Sequence, residues 1–444
     1  MSKEPTPSRA RRIPEKRLAR LGGLSAMTAG VAGNMALGGL SQLAQAKRPS
    51  MRDLLLTPKN ITRVTEQLAQ MRGAAMKLGQ LVSMDTGDVL PPELTQIMAR
   101  LRNDAHFMPA AQLKQVLNAQ WGEGWLKHFK SFDVHPIAAA SIGQVHRAVL
   151  KDGRELAIKV QYPGVAKSID SDVANVGALI KMSGLMPKGF ELAPYLEEAR
   201  LQLHQETDYL REAEKLELFS GLLQDHHKFT LPTLIPEWST SQVLCMSYVA
   251  GIDIEQTTHL PQDARDKIAT SLIELTLQEL FSFGVMQTDP NFANYLFDES
   301  TEKIVLLDFG ATQHIAPDIV AQYGDLLKAG LAADSDALRR SMHKIGFFAP
   351  DTKESHQTQI LAMAMLVFTK IAGETSYDFT DATLQKKMQS MGVALAQDGF
   401  IPPPLPIDVL LLQRKFGGMF LLANRLGARV ALQDVIAKSL THID

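Results

Sequence analysis

Gln287–Gly310 reads QTDPNFANYLFDESTEKIVLLDFG. It holds Asp289, then Asn294 five residues on, then Asp308 nineteen residues after Asp289, in an Asp-Phe-Gly turn. All three are hard oxygen donors. A phosphoryl group in transfer spreads negative charge over several oxygens, so its chemistry calls for Mg²⁺ held by oxygen ligands. Asp308 and Asn294 are the candidate metal ligands. Asp289 is the candidate catalytic group, orienting or deprotonating the attacking oxygen. Taken singly, the two halves have plainer readings. Ile304–Leu307 is a buried strand running into a turn, and D-P-N-x-x-N is a turn of its own. Their joint order and spacing point to the metal-and-base half of a kinase-type site.

The other half of such a site belongs upstream, on a strand-rich lobe. Ala138–Val145 reads AAASIGQV and Leu156–Lys159 reads LAIK. Protein kinases place G-x-G-x-x-G-x-V before V-A-I-K. On that template Ala138 and Ala140 take the first two glycine positions, Gly143 the third, and Val145 the valine. Ala138, Ala139, Ala140, Ser141, Gly143 and Val145 become candidate nucleotide-binding residues. Lys159 is expected mid-strand, facing the α- and β-phosphates as a catalytic and nucleotide-binding group. The alanines depart from the template. Glycine permits positive φ and close backbone approach to phosphate, and alanine restricts both. A small-residue helix start is the plainer reading of AAAS.

Lys159 needs a carboxylate. Glu197–Glu217 is rich in strong helix formers and carries Glu206, Asp208 and Glu212. It is expected to be one long helix with Glu212 as the partner of Lys159. Glu206 lies six residues earlier and faces another side. A solvated acidic face is the competing reading. Val243–Val249 reads as a buried strand where a kinase has its adenine-gripping hinge.

With these motifs in hand, the chain resembles the UbiB/AarF/ADCK family of atypical kinases. The resemblance rests on K-L-G-Q at Lys77–Gln80, A-A-A-S at Ala138–Ser141, E-T-D at Glu206–Asp208 and Q-T-D-P-N-x-x-N around Asp289. Q-Y-P-G-V at Gln161–Val165 and Q-R-K-F-G-G-M-F at Gln413–Phe420 add to it. It covers roughly residues 50 to 440, and the motifs are specific in combination. It implies a kinase-like fold with an added N-terminal helical segment. In that segment Lys77 and Gln80 are regulatory, lying over the nucleotide site, with Lys77 meeting Glu206 and Asp208. It also implies ATP or ADP and Mg²⁺ as cofactors, and a link to ubiquinone and other prenyl lipids. Expected partners are nucleotide, a membrane surface with prenyl-lipid or quinone intermediates, quinone-biosynthesis enzymes and a second copy of the chain.

One absence bears on the substrate. A protein kinase carries A-P-E well beyond D-F-G, closing its peptide-binding segment. Here A-P-D occurs at Ala316–Asp318, only eight residues past Asp308. Phosphorylation of a peptide is therefore disfavoured. At Lys77 itself the plain reading of Met71–Val82 is a helix with one exposed lysine.

Composition sets the outer bounds. The 444 residues are 45% hydrophobic with net charge −2, enough for large cores and without a global pull toward nucleic acid. The single cysteine, Cys245, excludes a disulfide framework and is expected in the core. The twelve histidines show no ligand spacing. The first twenty residues carry seven basic and two acidic side chains, and Leu21–Ala46 has no charge. A membrane-associating helix, a signal peptide ending at Ala44-Gln45-Ala46, and a flexible small-residue segment all remain open. Export conflicts with an ATP site, so the expected location is peripheral. That means the cytoplasmic side of a bacterial inner membrane, or the mitochondrial inner membrane in a eukaryote. No C-terminal anchor is expected. Ile360–Ile371 reads as a Met-rich helix, core or lipid-facing groove rather than cofactor box, Pro402–Pro404 as a rigid loop before the last helix, and Leu410–Val430 as a packed helix whose Arg414, Lys415, Arg425 and Arg429 snorkel, with contact to a membrane surface as the alternative.

The resulting fold class is α+β, a two-lobed protein-kinase-like fold with an N-terminal helical extension and a mainly helical C-lobe. The expected divisions are 1–50, 51–130 (carrying K-L-G-Q), 131–250 (N-lobe) and 251–444 (C-lobe). The leading functional reading is an Mg²⁺-dependent ATPase, or a kinase for a small or lipid-like acceptor, supporting ubiquinone synthesis at a membrane. A nucleotide-dependent lipid-binding scaffold and a conventional protein or small-molecule kinase are the alternatives.

Overall fold

The computed structural model describes residues 68, 71–86, 107–140, 142–183, 192–403 and 405–441. The basic and small-residue segment 1–50, Ser141 and the side chain of Gln80 lie outside the described residues. The chain forms two compact units, one of residues 1–217 and 232–249 and one of 218–231 and 250–444.

The first unit opens with helix α1 (Arg72–Thr86). Its apolar residues Met71, Ala74, Ala75, Leu78, Leu81 and Val82 recur at helical spacing and are buried. Helix α2 (Ala110–Trp121) leads into strands β1 (Phe129–Phe132), β2 (Ala138–Ala139), β3 (Gly143–Leu150) and β4 (Glu155–Gln161). Helices α3 (Val165–Ser183), α4 (Ala193–Glu206) and α5 (Tyr209–Leu222) follow. Past β5 (Phe229–Thr230) of the second unit, β6 (Val243–Ser247) returns to the first. The antiparallel sheet runs β1-β3-β4-β6, with β2 hairpinned onto β3. β4 is thus an inner strand, and Leu156, Ile158 and Val160 are fully buried. The chain's three tryptophans, Trp121, Trp125 and Trp238, pack with Phe129 at centroid spacings of 5.0–5.8 Å. The indole N–H groups of Trp121 and Trp125 donate to Trp238 O and Asn118 Oδ1, which satisfies their polar ends. Helix α1 packs on α3 and α4.

Two expectations are corrected in this unit. The acidic stretch Glu197–Glu217 is two helices, broken at Thr207-Asp208. The Thr207 hydroxyl donates to His204 O, and the Thr207 carbonyl accepts from Gln161 Nε2 at 2.7 Å rather than continuing a helix. Asp208 Oδ1 then accepts the Arg211 N–H, which caps α5. Helix α3 is a second departure, since it lies in the lobe expected to be strand-rich.

The second unit carries β7 (Ile252–Asp253), α6 (Gln262–Gln278), a π-type turn at Glu279–Phe283, and β8 (Val285–Gln287). β9 (Tyr295–Asp298), β10 (Lys303–Leu306) and β11 (Thr312–His314) follow. The pairings are β5-β10-β9-β7 and β11-β8. Helices α7 (Pro317–Leu331), α8 (Ser335–Ile345), α9 (Glu354–Ala372) and α10 (Thr383–Gln397) come next, with β12 (Tyr377–Asp378) before α10. The described chain ends with α11 (Ile407–Leu426), β13 (Arg429–Val430) and α12 (Leu432–Leu440). A second cluster, including Leu338, Met342, Leu361 and Phe368, packs α7, α8 and α9 together.

The last stretch also departs from expectation. The proline loop precedes α11, which is not the last helix, since α12 follows it. Helix α11 stops at Leu426, and Arg429 sits in β13 paired with β12, its N–H donating to Asp266 Oδ1. Arg414 and Lys415 are buried rather than snorkelling. Among the described residues no helix is long and apolar enough to cross a membrane.

Cys245 sits on β6 with no exposed surface, and burial pushes its thiol up to about 12. The thiolate is the reactive form. A thiol reagent at pH 8 should therefore label nothing in the native chain and one equivalent after denaturation. Full labelling of native protein would contradict the burial.

Candidate active site

In the first unit β4 presents Lys159 from mid-strand, opposite Val145 on β3 and Leu244 on β6. Its ammonium is 2.7 and 3.0 Å from the two oxygens of Glu212 and 5.3 Å from the Tyr209 ring centre. Both partners are buried, Glu212 to 3% exposure. The break at Thr207 makes this contact. It starts a new helix at Tyr209 and puts Glu212 in the first turn, where the helix dipole favours a carboxylate. Gln161, two residues after Lys159 on the same strand, holds that break by its bond to Thr207 O.

The alanine segment forms the β2–β3 hairpin. Ala138 pairs with Val145 and Ala139 with Gln144, and the Ala140 N–H donates to Gly143 O. Ala138 and Ala139 are exposed and Ala140 half-buried, none with positive φ. The hairpin is therefore built without the glycine conformations of the kinase template. Gly143 is needed for another reason: a Cβ there would collide with the carbonyl oxygen of Val160.

Lys77 on α1 is 3% exposed and pairs with Glu206 at 2.7 Å. Glu206 is the last residue of α4, at the end of a helix dipole that disfavours a carboxylate, so the cation offsets that cost. The expected meeting of Lys77 with Glu206 is present, and the plain reading of an exposed lysine is not met. Asp208 caps α5.

In the second unit the three residues of the opening stretch sit on loops stitched together by backbone. The Leu307 N–H donates to Asn294 O at 3.0 Å, closing the β9–β10 hairpin next to Asp308. The Thr288 N–H and hydroxyl both reach Ala311 O, at 3.2 and 2.7 Å. These links tie the Asp289–Asn294 loop to the Asp-Phe-Gly turn on both sides. Asp289, Asn294 and Asp308 are each half-buried. Asn294 Nδ2 donates to Asp289 O at 3.3 Å, which occupies the amide nitrogen and makes Oδ1 the candidate metal donor. Asp308 Oδ1 accepts the Gly310 N–H. Phe309 is buried against Phe219. The segment after the turn goes at once into β11 and then α7, so A-P-D is the start of a helix and not the close of a peptide platform.

A donor set of one Asp and one Asn fits Mg²⁺, which takes few protein oxygens and completes its shell with water and phosphate. It does not fit a self-sufficient metal site. Among the described residues no group of three or more His, Cys, Asp and Glu side chains is placed to hold a metal.

Sequence reading missed Glu279, Gln287 and Tyr295, which surround the buried Lys415 in this unit. No local signal marks them, because Lys415 lies more than a hundred residues from all three.

Comparison with known proteins places the chain in a family. The profile of the ABC1 atypical kinase-like domain matches residues 100–342. The mitochondrial atypical kinase COQ8 of Saccharomyces cerevisiae is 36% identical over 422 residues, 94% of this chain and 83% of that one. The mitochondrial atypical kinase COQ8B of Rattus norvegicus is 37% identical over 434 residues, 96% of this chain and 81% of that one. A solved Mycobacterium tuberculosis protein in complex with erythromycin matches with TM-score 0.59 at 24% identity, over 85% of this chain and 94% of that one, a likeness of fold alone. A two-lobed α+β kinase-like fold with these motifs defines an atypical kinase. The chain belongs to the ABC1 atypical kinase-like family, the UbiB/AarF/ADCK group that its motifs resemble.

Proposed function

We propose that this chain is an Mg²⁺-dependent atypical kinase or ATPase that acts on, or is coupled to, prenyl lipids of ubiquinone synthesis at a membrane surface. The observation that carries the nucleotide reading is the buried, doubly bonded Lys159–Glu212 pair on an inner strand. Burying two charges costs several kcal/mol unless geometry and partners are good. A lysine held this way is fixed in direction, as phosphate recognition requires. Lys159 takes the α- and β-phosphates. The β2–β3 hairpin, with Ala138–Ala140 and Gly143, lies along the nucleotide. Asp308 and Asn294 hold Mg²⁺, which neutralises charge on the phosphoryl oxygens when bound. Asp289 orients or deprotonates the attacking oxygen. Lys77, paired with Glu206, ties the added N-terminal helix to the unit that carries Lys159 and regulates access to it. The membrane and quinone context draws on the COQ8 relatives, whose names place them in mitochondria.

The test is ATP turnover by purified full-length protein with Mg²⁺, with and without cardiolipin-containing liposomes. Turnover that rises with liposomes supports the membrane-coupled reading. Nucleotide binding with no turnover under any condition would shift the function to a nucleotide-dependent lipid scaffold.

A further inference from the structure

Lys415 is a buried cation with no place in the chemistry so far. It lies on α11 at 2% exposure. Its ammonium donates to the Tyr295 hydroxyl at 3.1 Å and to Gln287 Oε1 at 3.4 Å, and it faces Glu279 Oε2 at 3.4 Å. Gln287 is the last residue of β8, and Tyr295 is the first of β9. The segment between them, Thr288–Asn294, contains Asp289 and Asn294. One ammonium therefore grips both ends of that loop.

A second contact from the same helix falls in the middle of the loop. A Cβ on Gly418 would collide with the Pro290 ring, so the α11 backbone comes up against the residue next to Asp289. The opposing carboxylate, Glu279, opens a π-type turn at the end of α6, an irregularity that recurs at functional sites. Burial draws the Lys415 pKa down, but Glu279 and Tyr295 outweigh it and hold it above the ordinary lysine value, while burial holds Glu279 above the ordinary carboxylate value.

We propose that Lys415 is a positioning residue for Asp289: it clamps Gln287 and Tyr295 at the two ends of the loop while Gly418 seats Pro290 within it. This deepens the function proposed above and rests on Asp289 having the role given there. A purely structural role for the pair is the rival. An apolar pair of similar volume often serves packing as well as a buried ion pair does. The placement at both loop ends is what packing alone does not call for.

The test compares wild type with the Lys415→Met/Glu279→Gln double variant, which removes both charges and keeps an oxygen acceptor at position 279. Gly418→Ala is the second variant, acting on Pro290 without touching the charges. Three readouts are taken on full-length protein: melting temperature, hydrogen exchange of the Thr288–Asn294 amides, and steady-state ATP turnover. The expected result is loop exchange faster by about tenfold or more in both variants, with a melting temperature close to wild type in the double variant and lower in Gly418→Ala, where the new methyl meets the Pro290 ring. Turnover should fall about 10²-fold, the scale of an ångström-sized misplacement. The loss should fall mainly on kcat, with a smaller rise in KM for ATP, since Lys159 is untouched while Asn294 lies in the loosened loop. Unchanged loop exchange in both folded variants overturns the proposal, whatever the turnover. So does a loosened loop with wild-type kcat. If wild type itself shows no turnover, the phosphoryl-transfer reading fails, and the exchange readout still decides whether Lys415 holds the loop.

Discussion

Asp308→Asn should abolish Mg²⁺-dependent turnover while leaving the fold intact. The substitution keeps shape and volume. It also keeps Oδ1, which accepts the Gly310 N–H and closes the Asp-Phe-Gly turn. What it removes is a negative charge beside the metal. Lewis-acid stabilisation of a phosphoryl transition state is worth several kcal/mol. At about 1.4 kcal/mol per tenfold, the loss is expected near a thousandfold in kcat. Metal-free nucleotide affinity should change little, because the Lys159–Glu212 pair belongs to the other unit. The added affinity that Mg²⁺ confers on ATP should shrink. Calorimetric titration of ATP with and without Mg²⁺ measures this, alongside a thermal melt to check folding. An Asp308→Asn protein that turns over ATP like wild type would remove the metal assignment. Asn294→Ala should act in the same direction and more weakly, as a neutral ligand is lost instead of a charged one.

The part of this site that was legible in the sequence shares a physical character. Asp289, Asn294 and Asp308 lie at the ends of short strands, and hairpin geometry fixes what lies across from what over a few residues. Lys159 and Glu212 were legible because the chemistry demands a carboxylate for that lysine, and Glu212 lies on an acidic stretch of strong helix formers. The helix break at Thr207 was not legible. The local stretch favours a helix, and what stops it is Gln161, a residue on a strand of the sheet, taking the Thr207 carbonyl. Tertiary contacts of this kind override propensity. Helix α3 lies in a lobe expected to be strand-rich, and its Val165, Ile169, Val173 and Val176 fall on one helical face, three of them buried. Lys415 shows the limit most clearly. A lysine in an apolar run is normally a snorkelling one. Only the folded chain shows that its neighbours are Glu279, Gln287 and Tyr295. The Q-R-K-F-G-G-M-F motif contains Lys415 but says nothing of what surrounds it.

Glu212→Ala should produce the largest loss of stability of any single change in the site. The carboxylate is bonded twice to Lys159, and both groups are shielded from water. Removing one member leaves an ammonium in a buried setting without the charge that it faces, at a cost of about 3–5 kcal/mol. The loss should be read in the first unit, and the chain carries its own reporter there. All three tryptophans lie in the aromatic cluster around Phe129, so tryptophan fluorescence follows the unfolding of that unit. The double variant Lys159→Met/Glu212→Leu separates structure from function. It replaces the pair with apolar side chains of similar volume, a change that is often neutral or stabilising. Its urea midpoint should return to that of wild type or exceed it, while ATP affinity and turnover stay lost because the phosphate-facing cation is gone. If instead the double variant binds ATP like wild type, Lys159 has no part in nucleotide recognition and the pair is only an element of the core. If Glu212→Ala costs nothing in the urea melt, the ammonium has found water or another partner, and the buried pair does not hold Lys159 in place. The expected pattern is that removing Glu212 costs stability and removing both charges costs only activity. That pattern would mean the charged pair is kept for phosphate recognition at the expense of a more stable core.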